Sequence, residues 1–278
     1  MKIMSADLDD RTFFRLADFI YRETGIVLPQ KKRVLLANRL RKRLQDLSLP
    51  TYYDYYNYLL REKDNEIEEL INVVSTNETY FRRTTSHFEI LRNYILPELA
   101  ERSIPPIRIW SAGCSTGEEA YDLAIEAYEF YLKKPSAKFE VLGTDISTRV
   151  LKVAKEGRYY GRKVAKLSEY QKNRYFRERQ SSSFPYKELE VSPVIKQFVT
   201  FERLNLVHDT FPTNRHIIFC RNVMIYFDKR TQKKIVSKMY NALSYGGYFI
   251  IGPSESLHII ESEFKQISYP EGTVYQKK

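Results

Sequence analysis

The stretch IRIWSAGCSTGEE, residues 107–119, decides the fold, because it predicts a buried strand that turns directly into a helix. Ile107, Ile109 and Trp110 supply the apolar run of a strand that is covered on both faces. Gly113 and Gly117 bound the turn, and we expect their missing Cβ atoms to let the backbone approach a ligand. The sequence therefore predicts a ligand cradle at the carboxyl end of this strand.

Glu118 and Glu119 open the predicted helix and indicate which ligand the turn accepts. Two carboxylates would repel phosphate, the usual ligand of a helix N-terminus, and the dinucleotide pattern G-x-G-x-x-G is absent. A cationic or zwitterionic ligand suits these acids better. S-adenosylmethionine qualifies, because it carries a sulfonium and an ammonium but no phosphate. The alternative is a plain strand-to-helix turn whose acids only stabilise the first turn of the helix.

A second apolar run, residues 139–143, is followed by the sequence TDIS, which places Asp145 at the carboxyl edge of a strand. In open α/β sheets an acid at this edge accepts hydrogen bonds from ribose hydroxyls. Asp145 is therefore the candidate ribose ligand. The alternative is an N-cap for the helix predicted over residues 148–156, and Ser147 suits that position equally well.

Composition is that of a moderately sized enzyme that works inside the cell. The 278 residues are 43% hydrophobic and 29% charged, enough for one large domain and one small one. No segment approaches 18 consecutive apolar residues and the N-terminus lacks a signal-peptide core, so we expect a cytoplasmic protein without membrane insertion. Cys114, Cys220 and four scattered histidines lack metal-ligand spacing, so we expect neither a metal nor a disulfide.

The chain divides near residue 100 into a helical part and an alternating part. Helical patterns cover residues 8–24, 31–47, 51–60 and 66–74. Beyond them, strands are predicted at residues 107–111, 139–143, 198–202, 216–220 and 248–251, with helices at 118–131, 148–156 and 230–243. This alternation predicts a mostly parallel α/β sheet. The expected domains are an all-helical domain over residues 1–84, a linker helix over 85–104 and an α/β domain over 105–278.

The alternation breaks between residues 157 and 199, where a basic and aromatic stretch precedes the turn sequence QSSS. Two short strands are predicted there, around residues 174–178 and 185–191. We interpret this region, about residues 157–198, as a small β subdomain inserted into the α/β domain.

The net charge of +10 indicates an acidic partner, and one predicted helix carries much of it. Residues 31–43 contain seven bases and no acid. At about 100° per residue, leucines share one arc and five bases share another; these bases are Lys31, Lys32, Arg39, Lys42 and Arg43. Without interspersed acids they repel each other in the free protein, so we expect a partner-binding face. A solvated helix face is the alternative.

Five motifs along the chain resemble a known family. They are STNETYFRR at residues 75–83, WSAGCSTGEEAY at 110–121, GTDIS at 143–147, LNL at 204–206 and FCRNVMIYFD at 219–228. Together with the TGIVL pattern and the arginine–leucine pairs of residues 24–44, they resemble the chemotaxis receptor glutamate methyltransferases, the CheR type. The resemblance implies a Rossmann-like domain that transfers methyl groups from S-adenosylmethionine to glutamates on the cytoplasmic coiled-coil region of chemoreceptors, leaving S-adenosylhomocysteine.

The resemblance also implies which residues contact the cofactor, wherever the motifs match. These are Asn77, Thr79, Arg83, Glu118, Asp145, Asn205, Leu206, Arg221 and Asn222. Tyr226 matches the tyrosine near the reacting methyl group, and Arg83 is a second catalytic candidate that could hold carboxylates. The alternatives are a packed aromatic for Tyr226 and an interdomain ion pair for Arg83. Ala120 and Asp122 stand where the family commonly has proline and a small hydroxyl residue, so we expect altered packing there.

Two rival functions fit a basic cofactor-binding chain. The first is nucleic-acid methylation with phosphate contacts at residues 31–43, but base methylation typically uses N-P-P-Y or D-P-P-Y at a strand end. That strand end reads CRNV here, so we expect no nucleic-acid partner. The second is a catalytically idle module that binds cofactor or receptor. We further expect the protein to be a monomer.

Overall fold

The computed structural model describes residues 7–102, 106–180, 187–257 and 263–278, which form two compact units. The helical unit ends at Thr76 and also takes in Tyr226–Thr231. The sheet unit comprises Asn77–Ile225 and Gln232–Lys278.

From residue 7 to Thr76, the helical unit has four α-helices, namely α1 (Asp10–Thr24), α2 (Arg33–Asp46), α3 (Tyr52–Arg61) and α4 (Lys63–Val74). Asp9 caps α1 by accepting the backbone N–H of Thr12 at 2.9 Å, and Gly25 ends it with a φ of 73°. One apolar face of each helix enters a common core, with Phe13, Leu40 and Leu59 fully buried. The prediction of an all-helical N-terminal part is confirmed.

The described residues of the sheet unit form ten strands in chain order. They are β1 (Ile107–Ala112), β2 (Phe139–Asp145), β3 (Arg158–Tyr159), β4 (Phe176–Arg179), β5 (Glu188–Val191), β6 (Val199–Arg203), β7 (Arg215–Cys220), β8 (Leu243–Ile251), β9 (Lys265–Tyr269) and β10 (Gly272–Gln276). Its helices are α5 (Thr85–Ile90), α6 (Leu96–Glu101), α7 (Glu118–Lys133), α8 (Thr148–Glu156), α9 (Glu169–Tyr175), α10 (Pro193–Lys196) and α11 (Lys229–Ala242), the last beginning in the helical unit.

Seven strands form one sheet in the order β6-β2-β1-β7-β8-β10-β9. The first five pair in parallel, as the alternation of strands and helices predicts, so the mostly parallel sheet is confirmed. The pairs of β10 with β8 and β9 are antiparallel. Sequence patterns missed this hairpin, because β9 lies at the sheet edge and is mostly solvent-exposed, so it lacks the apolar run of a covered strand.

The segment expected as a linker helix is helical over residues 85–101, where α5 and α6 flank a π-helical turn, Leu91–Ile95. Its apolar side chains enter the core of the sheet unit, among them Phe88, Leu91, Ile95 and Leu99. Residues 103–105, the end of the expected linker and the start of the α/β domain, lie outside the described residues.

The inserted β subdomain is confirmed as a three-stranded antiparallel sheet in the order β3-β5-β4. The strand predicted at residues 174–178 was placed too early, because Ser168 and Gln171 form a capping box that starts α9 and leaves the strand to begin at Phe176. The other strand is Glu188–Val191. The serines of the predicted turn and residues 185 and 186 lie outside the described residues.

Among the described helices, none has the length and apolar character required to cross a membrane.

Candidate functional site

The turn after β1 is anchored to the end of β2. Gly113 and Cys114 donate their backbone N–H groups to the carbonyl oxygen of Thr144 at 2.7 and 2.8 Å. Ser115 donates its own N–H to Oδ2 of Asp145 at 2.9 Å. Because β1 and β2 are parallel neighbours, their carboxyl ends meet at one edge, and these bonds hold the turn against it.

The two glycines of this turn serve close packing within the protein. Both have positive φ, 82° at Gly113 and 94° at Gly117. A Cβ at Gly113 would lie 2.5 Å from Val223, and one at Gly117 would lie 2.8 Å from Cβ of Ala154. These contacts give both glycines a packing role within the protein, and the expectation that they also let the backbone approach a ligand stays a prediction.

Asp145 is a buried carboxylate at the carboxyl edge of β2, with 8% of the residue exposed. Its two oxygens accept backbone N–H groups from Ser115 and, at 3.0 Å, from Ser147. Burial raises the pKa of this carboxyl, and the N–H donors oppose that rise. Among the described residues no cation pairs with it. The N-cap residue of α8 is Ser147 and not Asp145. Each Asp145 oxygen accepts one of these two N–H groups, and a carboxylate oxygen has a second lone pair for another donor.

Glu118 is the first residue of α7 and is fully buried. Its carboxylate accepts the hydroxyl of Thr116 at 2.7 Å and the ammonium of Lys163 at 2.5 Å. Lys163 lies in the inserted subdomain, at the end of the 3-10 turn Gly161–Lys163. The sequence carries no signal for this pairing, because 45 residues separate the two partners.

Glu119, the second acid, belongs to a different network. It accepts the hydroxyl of Ser111 at 2.6 Å and the guanidinium of Arg221 at 2.6 Å. Arg221 also donates to the carbonyl oxygen of Arg83 at 2.7 Å and lies over the ring of Phe88. Beside it, burial and the charge of Arg221 lower the pKa of His87 to about 4, so that imidazole is neutral at physiological pH.

Arg83 sits in a turn with unusual backbone geometry. Its neighbours Arg82 and Thr84 have φ angles of 62° and 58°, in the left-handed region. The Arg83 guanidinium donates to the carbonyl oxygen of Glu78 at 2.9 Å and lies over the ring of Tyr80. The backbone of this turn is thus tied to Arg221, while the Arg83 side chain is only half-buried.

Asp122 and Glu126 of α7 hold the same turn from the other side. Asp122 accepts the backbone N–H of Arg82 at 2.6 Å, and Glu126 accepts the Arg82 guanidinium at 2.5 Å. Burial raises the pKa of Asp122 to about 7, and Arg82 opposes the rise. The expected change of packing at Asp122 is therefore a buried polar contact, in which Asp122 and Glu126 together bind Arg82. The sequence alone did not identify this contact.

The remaining predicted contacts of the sheet unit lie in three segments. Asn77 approaches the cradle through its carbonyl oxygen, which accepts the hydroxyl of Ser115 at 3.0 Å, and Thr79 follows it half-buried. Asn205 and Leu206 follow β6, where the N–H of Leu204 reaches the carbonyl oxygen of Asp145 at 2.9 Å. Asn222 follows β7 with a φ of 58°, its N–H held at 2.8 Å by Glu255.

Tyr226 groups with the helical unit. Its carbonyl oxygen accepts the N–H of Val27 at 2.9 Å, and the ammonium of Lys32 lies 5.8 Å from its ring centroid. Two residues further on, Asp228 accepts the hydroxyl of Tyr21 at 2.7 Å, which fastens this segment to α1.

The bases of the predicted basic face lie on α2 and on the 3-10 turn before it. In the structure some of them are paired within the protein and others are exposed. Arg43 forms an ion pair with Glu66 of α4, which is 1% exposed, at 2.5 Å. Arg39 donates to the carbonyl oxygen of Val74 and to the hydroxyl of Thr76. The expectation of mutually repelling bases without acids is wrong at Arg43, because α4 supplies the acid. Lys31 and Lys42 are exposed, and Lys32 is half-buried.

Comparison with known families decides what these two units are. Residues 11–75 match the family model of the CheR methyltransferase all-alpha domain, and residues 77–273 match that of the CheR methyltransferase SAM-binding domain. The chain belongs to the CheR methyltransferase family.

Relatives of this CheR-family chain have similar length. It is 39% identical over 251 residues to the chemotaxis protein methyltransferase of Borreliella burgdorferi, covering 87% of each chain. It is 35% identical over 261 residues to the chemotaxis protein methyltransferase of Escherichia coli, covering 92% of this chain and 88% of that one. Chemotaxis protein methyltransferase 2 of Vibrio cholerae is 32% identical over 275 residues, with 97% and 94% covered.

The geometry of the CheR-type domain fits S-adenosylmethionine, the cofactor of the family. Three buried carboxylates, Glu118, Glu119 and Asp145, gather at the carboxyl ends of β1 and β2. Arg221 neutralises Glu119 and Lys163 neutralises Glu118, so Asp145 contributes the unbalanced negative charge. A ligand with a sulfonium and ribose hydroxyls matches this edge, and a phosphate does not.

Proposed function

We propose that this protein is a protein-glutamate O-methyltransferase of bacterial chemotaxis adaptation, acting in the cytoplasm on the coiled-coil region of chemoreceptors. Membership of the CheR methyltransferase family over both units supports the activity. The names of the relatives support the chemotactic role. The observation that carries the cofactor assignment is Asp145, a buried carboxylate without a described cationic partner at the strand edge.

The chemistry needs no general base, because a glutamate side chain is ionised at neutral pH and is its own nucleophile. Bound S-adenosylmethionine supplies an electrophilic methyl group on its sulfonium. The protein has to align the carboxylate oxygen with that methyl group, at about 3 to 3.5 Å, and exclude water from the nucleophile. An ion pair to the substrate that is too strong would slow transfer, since the charges disappear in the step.

Arg83 and Tyr226 are the proposed catalytic residues. The half-exposed guanidinium of Arg83 touches only a backbone carbonyl and an aromatic ring among its described contacts, so it has donors left for a carboxylate. The Tyr226 hydroxyl would hydrogen-bond the incoming glutamate. Tyr226→Phe should lower turnover more than it weakens cofactor binding. Equal losses in both quantities would return Tyr226 to a packing role.

The proposed receptor contact is made by exposed bases, Lys42 of α2 and Lys31 of the 3-10 turn before it, Gln30–Lys32. Val34 and Leu35 are also exposed, at 65% and 43%, so this part of the chain offers both charge and apolar surface. A receptor helix that presents glutamates would complement it. Lys32, Arg39 and Arg43 remain in the proposal as flanking charges, although Arg39 and Arg43 also hold α4. We propose a monomer as the active form.

The activity is tested with radiolabelled S-adenosylmethionine and cytoplasmic fragments of chemoreceptors, followed by mild base. Carboxyl methyl esters hydrolyse readily and methylated amines do not, so base-labile label on the receptor is the expected result. Base-stable label, or label on nucleic acid added in competition, would contradict the proposal. A single-turnover experiment separates an enzyme from a module that only binds cofactor.

The receptor face is tested by reversing charge at its exposed positions. Lys31→Glu with Lys42→Glu should raise the Michaelis constant for receptor several-fold and leave the affinity for S-adenosylhomocysteine unchanged. The matched control is Lys152→Glu with Lys155→Glu, two exposed bases of α8. Equal effects of the two double reversals would show that only net charge matters.

A further inference from the structure

Glu255 binds the loop that follows β7 through the backbone of that loop. Oε2 of its carboxylate accepts the N–H of Asn222 at 2.8 Å and that of Gly252 at 2.6 Å. Oε1 accepts the N–H of Met224 at 2.8 Å. Gly252 directly follows β8, the parallel neighbour of β7. One side chain therefore joins the segments at the carboxyl ends of two adjacent strands.

The backbone around these three bonds is constrained. Asn222 has a φ of 58°, a left-handed conformation that is uncommon for a residue other than glycine. A Cβ at residue 252 would lie 2.7 Å from Oε2 of Glu255, so glycine is what allows the carboxylate to come this close. Met224 is buried, and its carbonyl oxygen accepts Nε2 of Gln232 at 2.9 Å. Met224 is thus held at both its N–H and its carbonyl group.

The same loop touches the turn after β1 and leads along the chain to a proposed catalytic residue. A Cβ at Gly113 would lie 2.5 Å from Cγ2 of Val223, so the Val223 side chain packs directly on that turn. Met224 begins the 3-10 turn Met224–Tyr226. A shift of Met224 would therefore move the part of the chain that carries Tyr226.

We propose that Glu255 is a positioning residue for methyl transfer. Its bond to the Met224 N–H fixes the 3-10 turn that ends at Tyr226. Its two other bonds hold the start of the loop against the end of β8. This inference rests on the proposed function, because it takes Tyr226 as the residue that meets the incoming glutamate. Glu255 acts on the reaction only through the loop in this arrangement.

Glu255→Gln tests the bond to Met224 separately from the other two. A glutamine amide keeps one acceptor oxygen and replaces the other with a donor. The oxygen should stay where it accepts two N–H groups, so the N–H of Met224 loses its acceptor and faces the amide NH2. Amide hydrogen exchange, measured by NMR, should then be about tenfold faster at Met224 and change by less than about twofold at Asn222 and Gly252. This measurement needs neither receptor nor cofactor.

Kinetics then tests whether the position of Met224 matters for the reaction. Turnover is measured as base-labile label on receptor fragments, and affinity for S-adenosylhomocysteine by calorimetry. Glu255→Gln should lower turnover by about 10- to 100-fold, the effect of a misplaced reacting group, and change the affinity by less than about twofold. The matched control is Glu263→Gln, which removes the same charge from an exposed acid of the same unit and should change neither quantity.

Four results would overturn the proposal. Unchanged exchange at Met224 would show that Glu255 does not hold the turn. Faster exchange with wild-type turnover would show that the bond is only structural. Parallel losses of turnover and affinity would place the effect on cofactor binding. If the wild-type protein labels no receptor, the proposed function fails and the role assigned to Tyr226 fails with it, whereas a failure of this proposal alone leaves wild-type labelling intact.

Discussion

At the scale of single residues, the site is a set of three carboxylates, each with different hydrogen-bond or ion-pair partners. Glu119 is paired with Arg221, Glu118 with Lys163, and Asp145 only with backbone N–H groups among the described residues. The sequence shows three acids here, and the presence or absence of a cationic partner is what distinguishes them as candidates for a ligand. On this ground we propose Asp145 as the acid that receives the ligand.

Asp145→Ala should therefore lower the affinity for S-adenosylhomocysteine by about 10- to 100-fold, since a hydrogen bond to a charged group contributes about 1.5 to 3 kcal/mol. Titration calorimetry measures the loss, and circular dichroism checks that the fold persists. Glu202→Gln, an exposed acid on the adjacent strand β6, is the control and should bind normally. An affinity for the Asp145 variant within twofold of wild type would remove Asp145 from the cofactor site.

Asp122 makes stability depend on pH. The folded carboxyl has a pKa of about 7 against an ordinary value of 3.8, so between these values the folded protein holds a proton that the unfolded chain has lost. The stabilisation is complete below about pH 4 and disappears as pH rises through 7. Asp122→Asn cannot ionise, so its melting temperature relative to wild type should climb between pH 5 and pH 8.

Differential scanning calorimetry across that range measures the Asp122 effect. Asp18→Asn, at a position 65% exposed, is the control, and its difference from wild type should stay flat. If the Asp122→Asn difference is also flat, Asp122 is ionised throughout and the contact with Arg82 is a permanent ion pair.

At the scale of elements, the contact between α2 and α4 depends on one buried acid. Glu66 accepts Nε of Arg43 at 2.9 Å and the hydroxyl of Tyr55 at 2.8 Å. These bonds explain why a helix with five bases packs without repulsion at Arg43. Arg43 therefore has a structural role, whereas Lys31 and Lys42 are exposed.

Arg43→Ala should destabilise the helical unit by about 3 kcal/mol, because it leaves the charge of Glu66 buried without its partner. Urea denaturation of the full chain, followed by circular dichroism, provides the measurement. Lys42→Ala is the neighbouring control and should cost less than about 0.5 kcal/mol. Similar losses in the two variants would mean that Glu66 is neutral or has found another cation.

At the scale of the whole molecule, the net charge of +10 should act on the receptor and not on the cofactor. Raising salt from about 0.05 M to about 0.5 M shortens the screening length from above 10 Å to a few ångströms. The Michaelis constant for receptor should then rise several-fold, while the affinity for S-adenosylhomocysteine changes little, since its contacts are buried. Steady-state kinetics and calorimetry at matched salt test this, and parallel changes in both quantities would contradict it.

The sequence by itself determined the parallel strands, the β insertion, the helical N-terminal part and the family, because these depend on local periodicity and on motifs read in order. It also located Asp145, since a strand end is visible in the pattern of apolar residues. Only the tertiary structure decided how charges pair: Lys163 with Glu118, Arg221 with Glu119, Arg43 with Glu66 and Arg82 with Glu126. These partners lie 23 to 102 residues apart. Ion pairs form between side chains that the packing of separate elements brings within a few ångströms, and no local pattern in the chain encodes that proximity.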